Sequence, residues 1–302
     1  MAQPTVTWLT PPRPSSLPVE RSQLEYSSRS IAFADDGARL LRAWGPPDRP
    51  WVLGVEERGS RWRVEAWGAE PRPARRAARE LFSLDHPLPQ FYALVRHEPV
   101  LRGTERRFRG LRLPRDASVY EALLHAIVGQ QLSVRAANAL QRRLFDLAGS
   151  YLDAGGIPVP CVPTPSRLAS LSVADFRSVG LSRVKAASLR SLASWALADP
   201  PTTEALASMP LSAAVDALDR LPGVGRWTAE NALLRGAGRP DVFVAGDLGI
   251  RVALDRYGVV RRERPEDAAR EWAERRYPGW GSYATLYLWR KLTAARARTP
   301  AG

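Results

Sequence analysis

Residues 221–229 read Leu221-Pro222-Gly223-Val224-Gly225-Arg226-Trp227-Thr228-Ala229. Two glycines flank one small apolar residue, a pattern that permits a very tight reversal of the chain. Leu211, Ala214, Val215 and Leu218 give an amphipathic stretch before the turn, and Trp227, Leu233 and Leu234 mark a second one after it. The spacing predicts two helices joined by a glycine turn. Backbone N–H groups at such a turn are left uncovered, and the positive end of the second helix begins there. That arrangement binds a phosphate without any base-reading side chain. An αα-hairpin that uses glycine only to reverse direction gives the same pattern, so the turn alone does not fix a function.

The surrounding chain narrows the choice. It has 302 residues, enough for two or three packed units, and its net charge of +13 suits a polyanionic partner, with nucleic acid ahead of a membrane surface. Cys161 is the only cysteine, which excludes an intramolecular disulfide and a four-cysteine iron–sulfur cluster. His86, His97 and His125 stand in unrelated contexts and do not suggest a zinc site. No apolar run approaches the length of a membrane span and the N-terminus lacks a signal-peptide pattern, so a cytoplasmic, nucleoid-associated location is expected.

Working toward the N-terminus, residues 1 to about 20 are rich in Pro and Ser and read as surface or mobile chain. Arg39–Trp44, Trp51–Val55 and Trp62–Trp67 read as strands, and Pro73–Phe82 as a helix, giving a small α+β domain over residues 1–88. Residues 89–302 then read as helical. Ser118 with Glu121 predicts a capping box ahead of a helix whose core stripe is Tyr120, Leu123, Leu124, Ile127 and Val128. Gly129-Gln130-Gln131 ends that helix and Ser133 caps the next. Residues 149–166 read as a Gly/Pro-rich loop. Helices are expected at Val173–Val179, Val184–Ala198, Ser212–Leu218, Asp247–Arg256, Pro265–Arg276 and Tyr283–Arg296.

Downstream of the glycine turn lies Val242-Phe243-Val244-Ala245-Gly246-Asp247-Leu248-Gly249-Ile250. Asp247 follows an apolar run and opens a helix. An aspartate there is most commonly a plain N-cap. The helix dipole also keeps such a carboxylate ionised. Cleavage of a nucleotide's glycosidic bond passes through a sugar with oxocarbenium character, which an adjacent carboxylate stabilises while orienting or deprotonating a water.

Four segments taken in order carry a resemblance: Ile127-Val128-Gly129-Gln130-Gln131-Leu132-Ser133; Phe176–Ser182 with Lys185 following; the turn at 221–229; and Asp241-Val242-Phe243 leading to Gly246-Asp247. Together they resemble the helix–hairpin–helix (HhH-GPD) DNA glycosylase superfamily, and within it the AlkA type, 3-methyladenine DNA glycosylase II, over roughly residues 75–302. The resemblance implies a mainly α, bilobal glycosylase domain preceded by the α+β domain. It implies Asp247 as the catalytic aspartate. Leu221, Gly223, Val224, Gly225 and Arg226 become the DNA-gripping hairpin, and Trp227 and Trp289 the aromatic pocket. Gln131 takes the place of the wedge that fills the gap left by a flipped base. It further implies a Na+, K+ or divalent ion on the main-chain carbonyls of Asp219, Leu221 and Val224, with no other cofactor required. Gly246, Leu248 and the polar Gln131 depart from the family pattern and leave the substrate range open.

Lyase-active relatives place a lysine amine in the hairpin region. Here that position is Arg226, which stays protonated, and the only lysines are Lys185 and Lys291 in other segments. The expectation is therefore a monomeric, monofunctional glycosylase that acts on duplex DNA carrying alkylated bases. A non-catalytic lesion sensor and a glycosylase for oxidised or deaminated bases remain open at this stage.

Overall fold

The computed structural model describes residues 3–24, 30–260 and 264–296. Its N-terminal part is one antiparallel sheet of β1 (Thr5–Leu9), β2 (Phe33–Asp35), β3 (Leu40–Trp44), β4 (Trp51–Arg58) and β5 (Arg61–Trp67), in the order β1-β5-β4-β3-β2. Successive residues point to opposite faces, so Leu40 and Leu41 enter different cores. Leu40, Leu53, Val55, Trp62 and Val64 pack against Ala74, Ala77, Ala78 and Leu81 of the helix Pro71–Leu81. On the other face Leu41, Val52 and Trp67 pack against Ala154 and Val159.

Two expectations are corrected here. The first residues are not surface chain: β1 pairs with β5, Thr5 opposite Ala66 and Leu9 opposite Trp62, and Leu17–Leu24 is a helix. The strand signal, β-branched and aromatic residues at 5–8, is short and masked by nearby prolines. Residues 149–166 are not simply a loop. They hold β6 (Ser150–Asp153) and β7 (Pro158–Cys161), a hairpin whose Ala154 and Val159 cover the sheet. Its burial depends on a sheet about a hundred residues earlier, which no local pattern reveals.

The remainder is helical, as expected, in two lobes that share one core. In the first, the helix Val119–Gly129 is buried from Val119 through Val128. It is packed by Val134–Ala148, Arg183–Leu197 and Arg226–Ala232, the last continuing as a π-turn over Leu233–Ala237. The second lobe contains Leu248–Asp255, Pro265–Arg276 and Gly281–Arg296. Leu88–Val95, far upstream, completes it: the Phe91 ring lies 5.0 Å from that of Tyr287 and 5.5 Å from that of Tyr283. The two lobes are thus built from interleaved stretches of sequence.

Ser118 caps its helix by accepting the Glu121 amide at 3.2 Å. Glu121 does not return a capping-box bond to Ser118. Its Oε2 accepts the Ala117 amide at 2.9 Å and its Oε1 takes Arg42 of β3 at 2.7 Å. Arg42 also reaches Asp116 at 3.1 Å, so a buried guanidinium ties the sheet to the helical core. Asp116, Glu121 and His125 could together ligate a metal ion by position alone, but the Arg42 cation already sits on both carboxylates. Ser133, as expected, caps Val134–Ala148 by accepting the Ala136 amide.

Candidate active site

The turn at 221–225 separates the helices Leu211–Asp219 and Arg226–Ala232. Leu221 and Val224 are buried and anchor it, while Pro222, Gly223, Gly225 and Arg226 face solvent. The two glycines serve different ends. Gly223 has φ +82°, and a Cβ there would fall 1.9 Å from the Ser188 hydroxyl, so only glycine fits. Gly225 has ordinary extended geometry, φ −95° and ψ 176°, and nothing within 4 Å of where a Cβ would stand. It caps the second helix with no side chain. The Thr228 amide already donates to the Gly225 carbonyl at 2.8 Å, and the amides of Arg226 and Trp227 have no acceptor within the helix. These amides lie at the positive end of the helix, beside the exposed Gly225 and Arg226. The Arg226 side chain turns back, its Nε 2.9 Å from Glu230 Oε1, yet stays about half exposed. Arg270 reaches the same Glu230 oxygen at 3.2 Å. Burial raises the Glu230 carboxyl above its ordinary value, and the two guanidiniums oppose that rise.

The segment after Gly129 lies against this turn. Gln131 is exposed with φ +57°, a left-handed conformation uncommon for a residue with a side chain. Gln130, which sequence reasoning did not single out, makes the contact with the hairpin. Its Nε2 donates to the Gly223 carbonyl and to Thr228 Oγ1, both at 2.9 Å. Lys185 donates to the carbonyls of Val128 at 2.7 Å and Gln130 at 2.9 Å. These partners are distant in sequence, so no local pattern exposes them.

Asp247 is the N-cap of Leu248–Asp255, accepting the Ile250 amide on Oδ1 at 3.0 Å. It is half-buried, and Leu248 beside it is 67% exposed. The stretch leading to it is extended but joins no sheet. Val242 and Val244 instead donate their amides to Ser282 Oγ at 3.2 Å and Thr285 Oγ1 at 3.1 Å, two buried hydroxyls of the C-terminal helix. The carboxylate is thus fixed by its own helix start, and the backbone leading to it by side chains from about 40 residues on. A Cβ on Gly249 would lie 3.2 Å from Asp247 Oδ1 and 3.6 Å from Leu292 Cδ1, so glycine keeps that side of the carboxylate open.

Trp227 lies against Gly246, the residue before Asp247: a Cβ on Gly246 would stand 3.4 Å from Trp227 Cβ and 3.5 Å from its Cδ1. Trp227 is half-buried, at the point where the hairpin's second helix begins. Trp289 lies one helical turn before Leu292 and is also half-buried. The buried Arg235 guanidinium lies over its ring, 5.5 Å from the centroid, and takes one of its two faces.

Of the three carbonyls assigned to an ion, that of Leu221 already accepts the Val224 amide at 2.9 Å and retains a second lone pair. Asp219 closes the first helix and is exposed. Oxygen donors of this type fit an alkali or alkaline-earth ion rather than a thiophilic metal. A cavity lined by Ala43, Trp44, Ala117, Glu121 and Cys161 among others lies where sheet and helical core meet, and it shares no residue with the Asp247 site.

The chain is 29% identical over 217 residues to a DNA-3-methyladenine glycosylase of Bacillus subtilis, covering 70% of each chain. It is 35% identical over 180 residues to DNA-3-methyladenine glycosylase 2 of Escherichia coli, covering 60% of each. The fold superposes on a 3-methyladenine DNA-glycosylase from Archaeoglobus fulgidus with a TM-score of 0.81 at 23% identity, covering 95% of this chain and 98% of that one. Residues 124–278, which include the 129–131 segment, the glycine hairpin and Asp247, match the HhH-GPD superfamily of base excision DNA repair proteins, and the chain belongs to that superfamily.

Proposed function

We propose that this protein is a monofunctional DNA glycosylase that extrudes alkylated bases of the 3-methyladenine and 7-methylguanine type from duplex DNA and hydrolyses their N-glycosidic bond. The observation that supports this reading is the half-buried Asp247 opening its helix directly after Gly246, against which Trp227 of the hairpin helix packs. The similarity to enzymes named for 3-methyladenine supports the substrate class.

The exposed amides at Gly225, Arg226 and Trp227 hold a backbone phosphate of the damaged strand, and Gln131 enters the space that the base vacates. The carbonyls of Asp219, Leu221 and Val224 would hold an alkali or divalent ion, which would neutralise phosphate charge at the same turn. The extruded base stacks on Trp227. A base alkylated on a ring nitrogen is cationic, which strengthens stacking by about 0.5–2 kcal/mol and makes the base a better leaving group. The Trp289 face turned away from Arg235 is available as a second wall. As the glycosidic bond lengthens, positive charge grows on the sugar; Asp247 stabilises it and orients the attacking water.

Water rather than an amine is the nucleophile. Lys185 is hydrogen-bonded to Val128 and Gln130, and Lys291 to the Val100 carbonyl and the Tyr257 hydroxyl, so both ammonium groups are engaged away from Asp247. The test is a panel of duplexes carrying 3-methyladenine, 7-methylguanine, hypoxanthine, 8-oxoguanine or uracil. Release of the alkylated bases, with strand scission only after alkali treatment, is the expected result. Release of 8-oxoguanine or uracil alone would reassign the substrate class, spontaneous scission would reassign the chemistry, and no release at all would leave a non-catalytic lesion sensor.

A further inference from the structure

The helix Val119–Gly129 ends at Gly129, where the last carbonyls of a helix have no amide donor within it. Lys185 supplies donors from a different helix, Arg183–Leu197. Its ammonium donates to the carbonyls of Val128 at 2.7 Å and Gln130 at 2.9 Å, on either side of Gly129. One turn further along the same helix, Ser188 is the residue that closes over Gly223, where no Cβ fits. Gln130 then bridges the two anchored pieces, donating to the Gly223 carbonyl and to Thr228 Oγ1. Lys185, Gln130 and Ser188 thus fix the 129–131 segment and the hairpin turn relative to one another. Burial lowers the Lys185 ammonium from its ordinary value, as follows from partial desolvation between two carbonyls.

Gln131 is the next residue. It is exposed and keeps φ +57°, a conformation that a non-glycine residue holds only where its surroundings impose it. Around it, Lys185 holds the preceding carbonyl, and the Leu132 amide closes the turn onto the Gly129 carbonyl at 3.2 Å. We propose that Lys185 is a positioning residue for base extrusion: by gripping the carbonyls of Val128 and Gln130 it holds Gln131 at a fixed height above the hairpin, ready to occupy the gap in the stack. This rests on the glycosylase reading above, and it assigns to Lys185 a role in extrusion rather than in bond cleavage. A base already weakly stacked needs little help of this kind, because extrusion costs least for an unpaired nucleotide.

The experiment uses the full chain and one alkylated base in two settings: opposite its normal partner in a fully paired duplex, and opposite an abasic-site analogue. Lys185→Met keeps the aliphatic stem and removes the donors; Lys185→Arg restores donors. The Met variant is expected to lower the paired-to-unpaired ratio of excision rates by about tenfold, the upper end of what one ordinary hydrogen bond contributes net, and the Arg variant to recover most of it. A merely structural role would depress both rates and leave the ratio unchanged, and an unchanged ratio overturns the proposal. Should the Met variant fail to fold in thermal denaturation, Lys185→Gln supplies the same ratio. Wild-type protein inactive in both settings overturns the glycosylase reading, whereas active wild type with an unaltered variant ratio overturns only the role of Lys185.

Discussion

Gly249 and Asp247 stand so close that a Cβ on Gly249 would lie 3.2 Å from Asp247 Oδ1. That is tighter than an ordinary van der Waals contact, while Leu292 Cδ1, at 3.6 Å, would meet the same methyl in ordinary contact. Helix propensity alone favours alanine over glycine by about 1 kcal/mol. Gly249→Ala is therefore expected to leave thermal stability roughly unchanged, the gain in propensity offsetting the cap that a displaced Asp247 gives up, while slowing excision on the order of tenfold. Melting temperature and single-turnover rate, measured side by side, check this separation of stability from activity.

Asp247→Asn separates the two jobs of that side chain. Asparagine still accepts the Ile250 amide, so the cap is kept and stability changes by less than about 1 kcal/mol. The negative charge is lost, and base release is expected to fall below detection while affinity for lesion-bearing duplex persists. Near-wild-type rates in the Asn variant would remove Asp247 from the mechanism. Asp247→Ala, which also loses the cap, is expected to cost about 1 kcal/mol in denaturant unfolding.

The hairpin glycines are expected to fail in different ways. Gly223→Ala forces a side chain into φ +82° and onto the Ser188 hydroxyl, so the helical lobe should lose on the order of 2–3 kcal/mol of stability. Gly225→Ala meets no neighbour and should fold normally. Its methyl would screen the amides of Arg226 and Trp227, and fluorescence anisotropy at low salt should show weaker duplex binding. Equal melting temperatures for the two variants would contradict the assignment.

Trp227→Ala should impair release of cationic 3-methyladenine and 7-methylguanine more than release of neutral hypoxanthine, by up to about tenfold in relative rate. An equal loss on all three would leave packing against Gly246 as the tryptophan's contribution.

Glu20 gives the fold a pH dependence. Burial raises its carboxyl from 4.5 to about 8, against the lowering effects of the Arg112 amide and guanidinium. The folded state therefore binds the proton more tightly than the unfolded chain. The stability contributed by this group is complete below pH 4.5 and is lost as pH rises toward 8. Glu20→Gln, which preserves an acceptor for the Arg112 amide, should flatten that decline, measured as the difference in unfolding free energy between pH 6 and pH 9.

Much of this was legible without coordinates because its signals are local. The helices around Val119–Gly129, Arg183–Leu197 and Gly281–Arg296 follow from apolar periodicity, and Ser118, Ser133 and Asp247 from N-cap chemistry. The glycine turn followed from two glycines around Val224. β1 and the β6–β7 hairpin were missed because each owes its structure to a partner far along the chain. Gln130 was passed over in favour of Gln131 for the same reason, since its partners Gly223 and Thr228 lie more than 90 residues away.

By itself, the sequence determined which segments are helical, where the backbone must turn on glycine, and which carboxylate opens a helix after an apolar run. These depend on residues within a turn or two of one another, where sterics and hydrogen bonding act on neighbours. Only the tertiary structure decided that Trp227 packs against Gly246, the residue before Asp247, that Ser282 and Thr285 hold the strand-like approach to Asp247, and that Lys185 grips the segment before Gln131. Those contacts join side chains whose separation is set by how helices pack, and packing is a property of the whole folded core.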